Sequence, residues 1–259
     1  LCIPARSVDL VLTDIPYGIL EKHRDSDKPL DLIEFEATID NVLKEDGLLI
    51  MFCNLQLLTQ LLATFTKFTQ RSFHVWSKPS GMCISPAMPL PNCEFILVFK
   101  RKDVKTKDTT WHPKEMLPAK QPYTKKSNIL ESPTRRHIKS PVSTNGDGKR
   151  WVTTTLSAPH KPCMPKLERS SHPSQKPEQL LRSLIRGYSN PDDLILDCFS
   201  GSGSSLISAF KEGRRSRGYE LNETYYTEAQ SRIEAITSQQ SLFSEPVSNK
   251  NYEKLVDTE

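Results

Sequence analysis

Asp14-Ile15-Pro16-Tyr17 sets a carboxylate, a proline-stiffened turn and an aromatic ring within four residues, directly after the run Ser-Val-Asp-Leu-Val-Leu-Thr. That run is rich in β-formers and nearly continuous in apolar character, as in a strand buried on both faces of a parallel sheet. In open α/β sheets, ligands bind at the carboxyl ends of such strands, so a carboxylate there can accept hydrogen bonds from a substrate. Asp and Pro are also ordinary turn residues, and four residues alone fit a plain strand-to-loop turn as well.

A second chemistry-bearing stretch is Asp197-Cys198-Phe199-Ser200-Gly201-Ser202-Gly203-Ser204. The strand-like Leu194-Ile195-Leu196 precedes it, and a helical stripe of Leu206, Ile207 and Phe210 follows, stopping near Gly213. Strand, glycine-rich loop and helix in that order make a nucleotide-type turn. The glycines let a ligand approach the backbone, and the helix N-terminus favours a negative group. The next strand-like piece, Arg217-Gly218-Tyr219, ends in Glu220, a carboxylate placed to accept from both hydroxyls of a ribose. Ser204 and Ser205 stand where a dinucleotide fingerprint would put its third glycine, which argues against a nicotinamide cofactor. A third stretch, His172-Pro173-Ser174-Gln175-Lys176-Pro177, precedes a helix with the stripe Leu180, Leu181, Leu184, Ile185 and Tyr188. Pro177 suits its first turn.

The elements between these stretches alternate. Leu30, Ile33, Ile39, Val42 and Leu43 keep helical spacing up to a turn signal at Glu45-Asp46-Gly47. Leu48 to Phe52 predicts a strand, and Leu57, Leu58, Leu61, Leu62 and Phe65 the apolar face of a second helix. Ser72 to Trp76 and Glu94 to Phe99 predict two further strands, joined by a loop from Lys78 to Asn92. The rhythm predicts a doubly wound, mostly parallel α/β sheet with an antiparallel edge. Four segments follow: one half of the sheet domain at 1–99, a loop-rich insert at 100–171, the other half at 172–237 with a helix through Tyr225, Tyr226, Ala229, Ile233 and Ile236, and a polar, mobile tail at 238–259.

Composition narrows the class. Hydrophobic residues make up 36% of the 259, and no apolar run approaches the roughly 18 residues that cross a bilayer. With no signal-peptide pattern either, a soluble intracellular, cytoplasmic protein is expected. The chain starts without Met and almost directly in a strand, so a segment upstream is also expected. Six scattered cysteines without metal-ligand spacing read as reduced thiols, and His160, Cys163 and His172 as a chance cluster rather than a zinc site. Charge is uneven: residues 100–171 hold 17 Lys and Arg against six Asp and Glu, a net +11 in a chain whose total is +4. A basic insert on an acidic body suits a polyanion, because each cation set against a phosphate releases counterions. Arg135, Arg136, Lys139, Lys149 and Arg150 are the expected phosphate contacts, and Trp151 an expected structural anchor.

Taken in order, Ser-Val-Asp-Leu-Val-Leu-Thr-Asp-Ile-Pro-Tyr-Gly, His-Pro-Ser-Gln-Lys-Pro, Asp-Cys-Phe-Ser-Gly-Ser-Gly-Ser and Gly-Tyr-Glu resemble the β group of S-adenosylmethionine-dependent DNA amino-methyltransferases. In that group the catalytic motif precedes the cofactor motif, and the DNA-reading segment lies between them. The resemblance implies a class I, Rossmann-like methyltransferase sheet of seven-stranded type with permuted motif order, acting on double-stranded DNA. It implies a flipped-out base whose exocyclic amine donates to the Asp14 carboxylate and the residue 15 carbonyl, with Pro16 holding residue 15 extended and Tyr17 stacking on the base. By the same matching, Asp197, Phe199, Gly201 and Gly203 line the methionine end of S-adenosylmethionine, Ser174 and Lys176 approach its carboxylate, and Glu220 holds the ribose. Ile15 departs from the family's usual second proline, Cys198 from a proline and Ser204 from a threonine. The strand that family members carry before the catalytic one is absent, and with it an acidic residue near the adenine of the cofactor.

An acidic residue at position 14 resembles the adenine-N6 enzymes more than the cytosine-N4 enzymes, which usually have serine there. The first expectation is therefore an adenine-N6 methyltransferase of the kind found in restriction–modification. Cytosine-N4 methylation is the alternative, followed by a non-catalytic DNA-binding module that keeps the fold. A glutamine-modifying protein methyltransferase would carry asparagine at position 14. Family members are often dimers, so a homodimer is expected, although no seam is visible in the sequence. Gln239-Gln240-Ser241-Leu242-Phe243 resembles the short motif by which bacterial proteins dock on the replication sliding clamp, with Leu242 and Phe243 as the apolar plugs.

Overall fold

The computed structural model describes residues 3–17, 29–81, 87, 89–117, 123–125, 143–145, 149–241 and 256–257. In chain order the principal elements are β1 (Val8–Thr13), α1 (Leu32–Val42), β2 (Leu43–Cys53), α2 (Leu55–Thr64), β3 (Phe68–Ser77) and β4 (Cys93–Arg101). The insert supplies β5 (Tyr123–Lys125), β6 (Ser143–Asn145) and β7 (Thr155–Ser157). Then come α3 (Glu178–Tyr188), β8 (Leu194–Asp197), α4 (Ser204–Lys211), β9 (Arg215–Tyr219), α5 (Glu223–Ser241) and β10 (Val256–Asp257).

One sheet of eight strands in the order β10-β9-β8-β1-β2-β4-β3-β7 carries the fold, with β5 and β6 as a separate pair. Every pairing from β10 to β2 is parallel, whereas β4 is antiparallel to both β2 and β3. The doubly wound sheet with an antiparallel edge is thus present. From β8 the chain winds outward to β9, and from β1 it winds the opposite way to β2. The strand order therefore reverses between β8 and β1, the point where open α/β sheets place their ligands.

Side-chain alternation builds a core on each face. Val11, Leu49, Met51, Cys53, Leu97 and Phe99 pack under α1 and α2 with Ile39, Leu57 and Leu61. Leu10, Leu12, Leu48, Ile50, Phe52, Ile96 and Val98 pack under α3 with Leu180, Leu184, Ile185 and Tyr188. Asp31 caps α1 by accepting from the amides of Ile33 and Glu34, and Asn54 caps α2 by accepting from Leu57. The Tyr188 hydroxyl, at the end of α3, lies 3.0 Å from Ser72 Oγ and 2.7 Å from His74 Nε2, which fastens that helix to β3.

Three details differ from the expectations. Glu45-Asp46-Gly47 is a bulge inside β2 rather than a turn before it. Val8 pairs with Leu43 and Leu10 with Leu48, so the residues from Lys44 to Gly47 face Asp9 alone. The insert is not confined to loops: β7 pairs parallel with β3, and Met116, Leu156, Ala158 and Met164 are buried in or against the sheet domain. At the C-terminal end, α5 continues through Ser241, and Val256–Asp257 pairs with β9 at the sheet edge. Leu242 and Phe243 lie outside the described residues. Among the described residues, no helix is long and apolar enough to cross a membrane.

Candidate active site

Three acids stand near the carboxyl ends of adjacent strands: Glu220 after β9, Asp197 at the end of β8 and Asp14 after β1. With strands about 4.8 Å apart, the row spans about 10 Å across the switch point. Thr13, the last residue of β1, donates from Oγ1 to Asp197 Oδ1 at 2.8 Å, which links β1 to the glycine loop.

Asp197 is 5% exposed and turned into the protein. Besides Thr13 it accepts from the Phe199 amide at 3.1 Å and from the Ser205 hydroxyl. Burial pushes its carboxyl up to about 6, against the opposing pull of the Ser205 and Thr13 hydrogen bonds. The carboxylate thus ties down both ends of the loop from beneath. Gly201 and Gly203 have φ of +49° and +71°, in the left-handed region that L side chains avoid. A Cβ at Gly201 would lie 3.1 Å from the His172 ring, and one at Gly203 3.1 Å from Ala229. Glu220 is held by two amides, Gly201 N on Oε2 at 2.8 Å and Asn222 N on Oε1 at 2.8 Å. A carboxylate has about four acceptor sites, so two backbone donors fix its direction and leave capacity for further donors. α4 begins without a side-chain cap. These backbone features fit a ligand with vicinal hydroxyls and a polar, charged end.

At the tip of β1, Ile15 is 1% exposed and belongs to the core under α1, so the residue replacing the family's usual proline anchors the turn by its side chain. Asp14 keeps 22% of its side chain exposed. Its Oδ1 accepts from the Tyr17 hydroxyl at 2.8 Å, and its Oδ2 lies 2.5 Å from Lys176 Nζ. Lys176 is also 3.3 Å from Glu94 Oε2, and Glu94 in turn pairs with Lys78. Burial raises the Asp14 carboxyl and Glu94 adds to the rise, while Lys176 opposes it. Glu94 goes the other way: burial would raise it, but Lys176 and Lys78 together hold it below its ordinary value. Burial by itself would lower Lys176, yet Asp14 and Glu94 keep its ammonium raised. Tyr17 is driven well above its usual value by burial and by the neighbouring carboxylates, so it is a neutral donor at physiological pH.

Of the residues expected around the cofactor, Asp197, Phe199, Gly201 and Gly203 lie between β8 and α4, and Glu220, after β9, is joined to them by the Gly201 amide. Ser174 is exposed, and the Lys176 ammonium stands on Asp14 and Glu94. Lys149 pairs with Glu115, and Arg150 is half-buried. Arg135, Arg136 and Lys139 lie outside the described residues, as do the plugs of the clamp-like motif. Trp151 is 67% exposed and is no anchor; Met116, Leu156, Ala158 and Met164 fill that role in the insert. Sequence reasoning missed Lys78, Glu94 and Gln175. Gln175 is 4% exposed: its Oε1 accepts from Ser170, and its Nε2 donates to Glu168 O at 2.7 Å and Ser204 Oγ at 3.1 Å, fixing the Lys176 segment to α4. A polar residue between two prolines was the available sign.

A family model described as DNA methylase matches residues 8–231. The chain belongs to the N6/N4 DNA methylase family. It is thus a DNA amino-methyltransferase, and the family's methyl donor is S-adenosylmethionine, which the glycine loop and Glu220 suit. It is similar to the type II methyltransferase M1.MboII of Moraxella bovis, 30% identical over 244 residues that cover 86% of this chain and 88% of that one. It is also similar to the DNA adenine methyltransferase YhdJ of Escherichia coli, 26% identical over 86% of this chain and 75% of the relative. In fold it matches the cytosine-N4-specific PvuII DNA methyltransferase with a TM-score of 0.57 at 18% identity, over 92% of this chain and 86% of that chain.

Proposed function

We propose that this methylase transfers a methyl group to the N6 amine of an adenine flipped out of a specific double-stranded DNA sequence. The observation that supports this most is Asp14: a partly exposed carboxylate at the end of β1, beside the switch point and joined through Thr13 to the glycine loop. An exocyclic amine is a poor nucleophile because its lone pair is delocalised into the ring. Acceptors on its two hydrogens, Asp14 and the residue 15 carbonyl, localise that pair and aim it. Asp14 need not be a strong base, since the amine becomes acidic once methylated and loses its proton afterwards. Tyr17 offers a ring on which the flipped base stacks, offsetting part of the few kcal/mol that unstacking costs. Bound S-adenosylmethionine would supply an electrophilic methyl group; Gly201 and Gly203 would give its methionine end room, and Glu220 would take its ribose hydroxyls.

The adenine assignment rests on a carboxylate at position 14 and on the similarity to a relative named as an adenine methyltransferase. In this reading Arg135, Arg136 and Lys139 contact phosphates, Arg150 assists, and the exposed Trp151 lies against the DNA. Incubation with labelled S-adenosylmethionine and mixed-sequence DNA, followed by digestion to nucleosides, tests the proposal. Label in N6-methyladenine is expected; label in N4-methylcytosine would overturn the choice of base.

A further inference from the structure

Each oxygen of Asp14 already holds a donor, the Tyr17 hydroxyl on Oδ1 and the charge-assisted Lys176 ammonium on Oδ2. A neutral amine is a weaker donor than an ammonium, so it meets Oδ2 at full acceptor strength only when that cation leans toward another anion. Water does not serve, because the Lys176 side chain is 10% exposed and its Nζ lies 5.1 Å and 5.7 Å from the ring centres of Phe52 and Tyr17. Glu94 is the other anion. It opens the inner face of β4, its Oε2 is 3.3 Å from Lys176 Nζ, and its Oε1 is held by Lys78 at the end of β3. The Tyr17 hydroxyl is within 3.4 Å of the same Oε2, so Glu94 stands beside both donors that occupy Asp14.

Resting on the reading of Asp14 as amine acceptor, we propose that Glu94 is a positioning residue that takes the Lys176 ammonium from Asp14 and so opens Oδ2 to the substrate amine. Lys78 sets how strongly Glu94 competes, because it neutralises part of the same carboxylate. The reaction then begins with a small swing of Lys176 between two carboxylates, not with its expulsion into solvent. The charged and titratable groups facing this exchange are Lys176, Lys78, Tyr17, Cys53 of β2 and Asp197 of β8. Of these, Lys78 touches Glu94 without touching Asp14, which makes it an independent control.

The test uses the full chain without cofactor, labelled with 13C at aspartate carboxyls, with the Asp14 signal assigned by its loss in Asp14→Asn. In Glu94→Gln the ammonium rests wholly on Asp14, and the midpoint of its titration should fall by about one pH unit. In Lys78→Met the midpoint should move the opposite way, because Glu94 gains a stronger hold on Lys176. Single-turnover methyl transfer by Glu94→Gln at neutral pH should fall about tenfold, with its acid limb displaced downward, and Glu94→Asp should recover part of the rate. Loss of the Glu94 charge moves that midpoint through space in any case, so the rate separates the readings: a role confined to structure would lower the melting temperature and leave single-turnover transfer by the folded variant unchanged. An unmoved midpoint in Glu94→Gln, or shifts of one sign in both variants, would overturn the proposal. If Glu94→Gln fails to fold, Glu94→Asp and Lys78→Met decide it alone. An Asp14→Asn protein that still transfers methyl groups would instead remove the reading of Asp14, and the titrations would stand apart from it.

Discussion

Asp14 and Asp197 stand at the carboxyl ends of neighbouring parallel strands, one residue apart through Thr13, yet they are satisfied in opposite ways. Asp197 is sealed in, and its partners are two hydroxyls and a backbone amide. Asp14 keeps an open side, and its partners are a lysine and a tyrosine that both also reach Glu94. Neutral, short-range donors on a buried carboxylate make a rigid fitting, because any oxygen left bare would lose about 1–3 kcal/mol. A carboxylate shared with a mobile ammonium can exchange partners, because a second carboxylate takes over the charge. In the proposed reading, two residues of one type, a strand apart, separate into support and chemistry.

Substitutions sharpen the contrast. The largest effect expected is on catalysis: Asp14→Asn should cut single-turnover methyl transfer about 10²- to 10³-fold while the melting temperature holds, because the amide presents only one acceptor oxygen and Lys176 still has Glu94. Asp197→Asn should act on stability instead, costing about 1–3 kcal/mol in denaturant titration, since the amide cannot accept from Thr13, Phe199 and Ser205 together. This site also carries a pH signature. Its folded-state value is raised to about 6, so the folded protein holds a proton that the unfolded chain has already lost. Stability linked to Asp197 should therefore decline as pH rises from about 4 to about 6 and level off above, by about 3 kcal/mol in total. Asp197→Asn should lack that decline when the two proteins are compared across pH. Gly203→Ala comes next: a left-handed alanine whose Cβ meets Ala229 at 3.1 Å should cost about 1–2 kcal/mol and weaken cofactor binding by calorimetry. The smallest effect belongs to Tyr17→Phe, which keeps the stacking ring and loses one donor to Asp14, for a rate change of about threefold to tenfold, with Tyr17→Ala losing more.

The support half of this contrast was more legible in the sequence than the chemical half. Gly201, Gly203 and Glu220 announce a cradle because backbone freedom and strand order leave a local mark, and Leu194 to Leu196 read as a strand from composition alone. Asp14 was legible as a carboxylate at a strand end. Its partners were not: Glu94 lies 80 residues away on the antiparallel strand, and Lys78 begins a loop rich in proline and methionine, where a single lysine carries no pattern. The part of the insert that packs on the sheet was hidden for a related reason. Met116, Leu156 and Ala158 obey no period, and prolines stand between the first and the other two, so only the folded arrangement brings them onto Trp76 and α3. The bulge at Lys44 to Gly47 read as a turn because both present Asp and Gly, and the choice between them was made by the pairing of Leu48 with Leu10. Trp151 misled through its type alone, since a large aromatic in a polar segment suggests anchoring and its ring is instead exposed.

The most direct test measures Asp14→Asn and Asp197→Asn side by side, scoring each for thermal stability and for single-turnover methyl transfer at saturating S-adenosylmethionine. A crossed result is expected: Asp14→Asn keeps its melting temperature and loses transfer, while Asp197→Asn loses stability and, where folded and cofactor-bound, keeps most of its rate. An Asp14→Asn protein that transfers methyl groups at the parent's rate, or a stably folded Asp197→Asn protein that cannot, would contradict it.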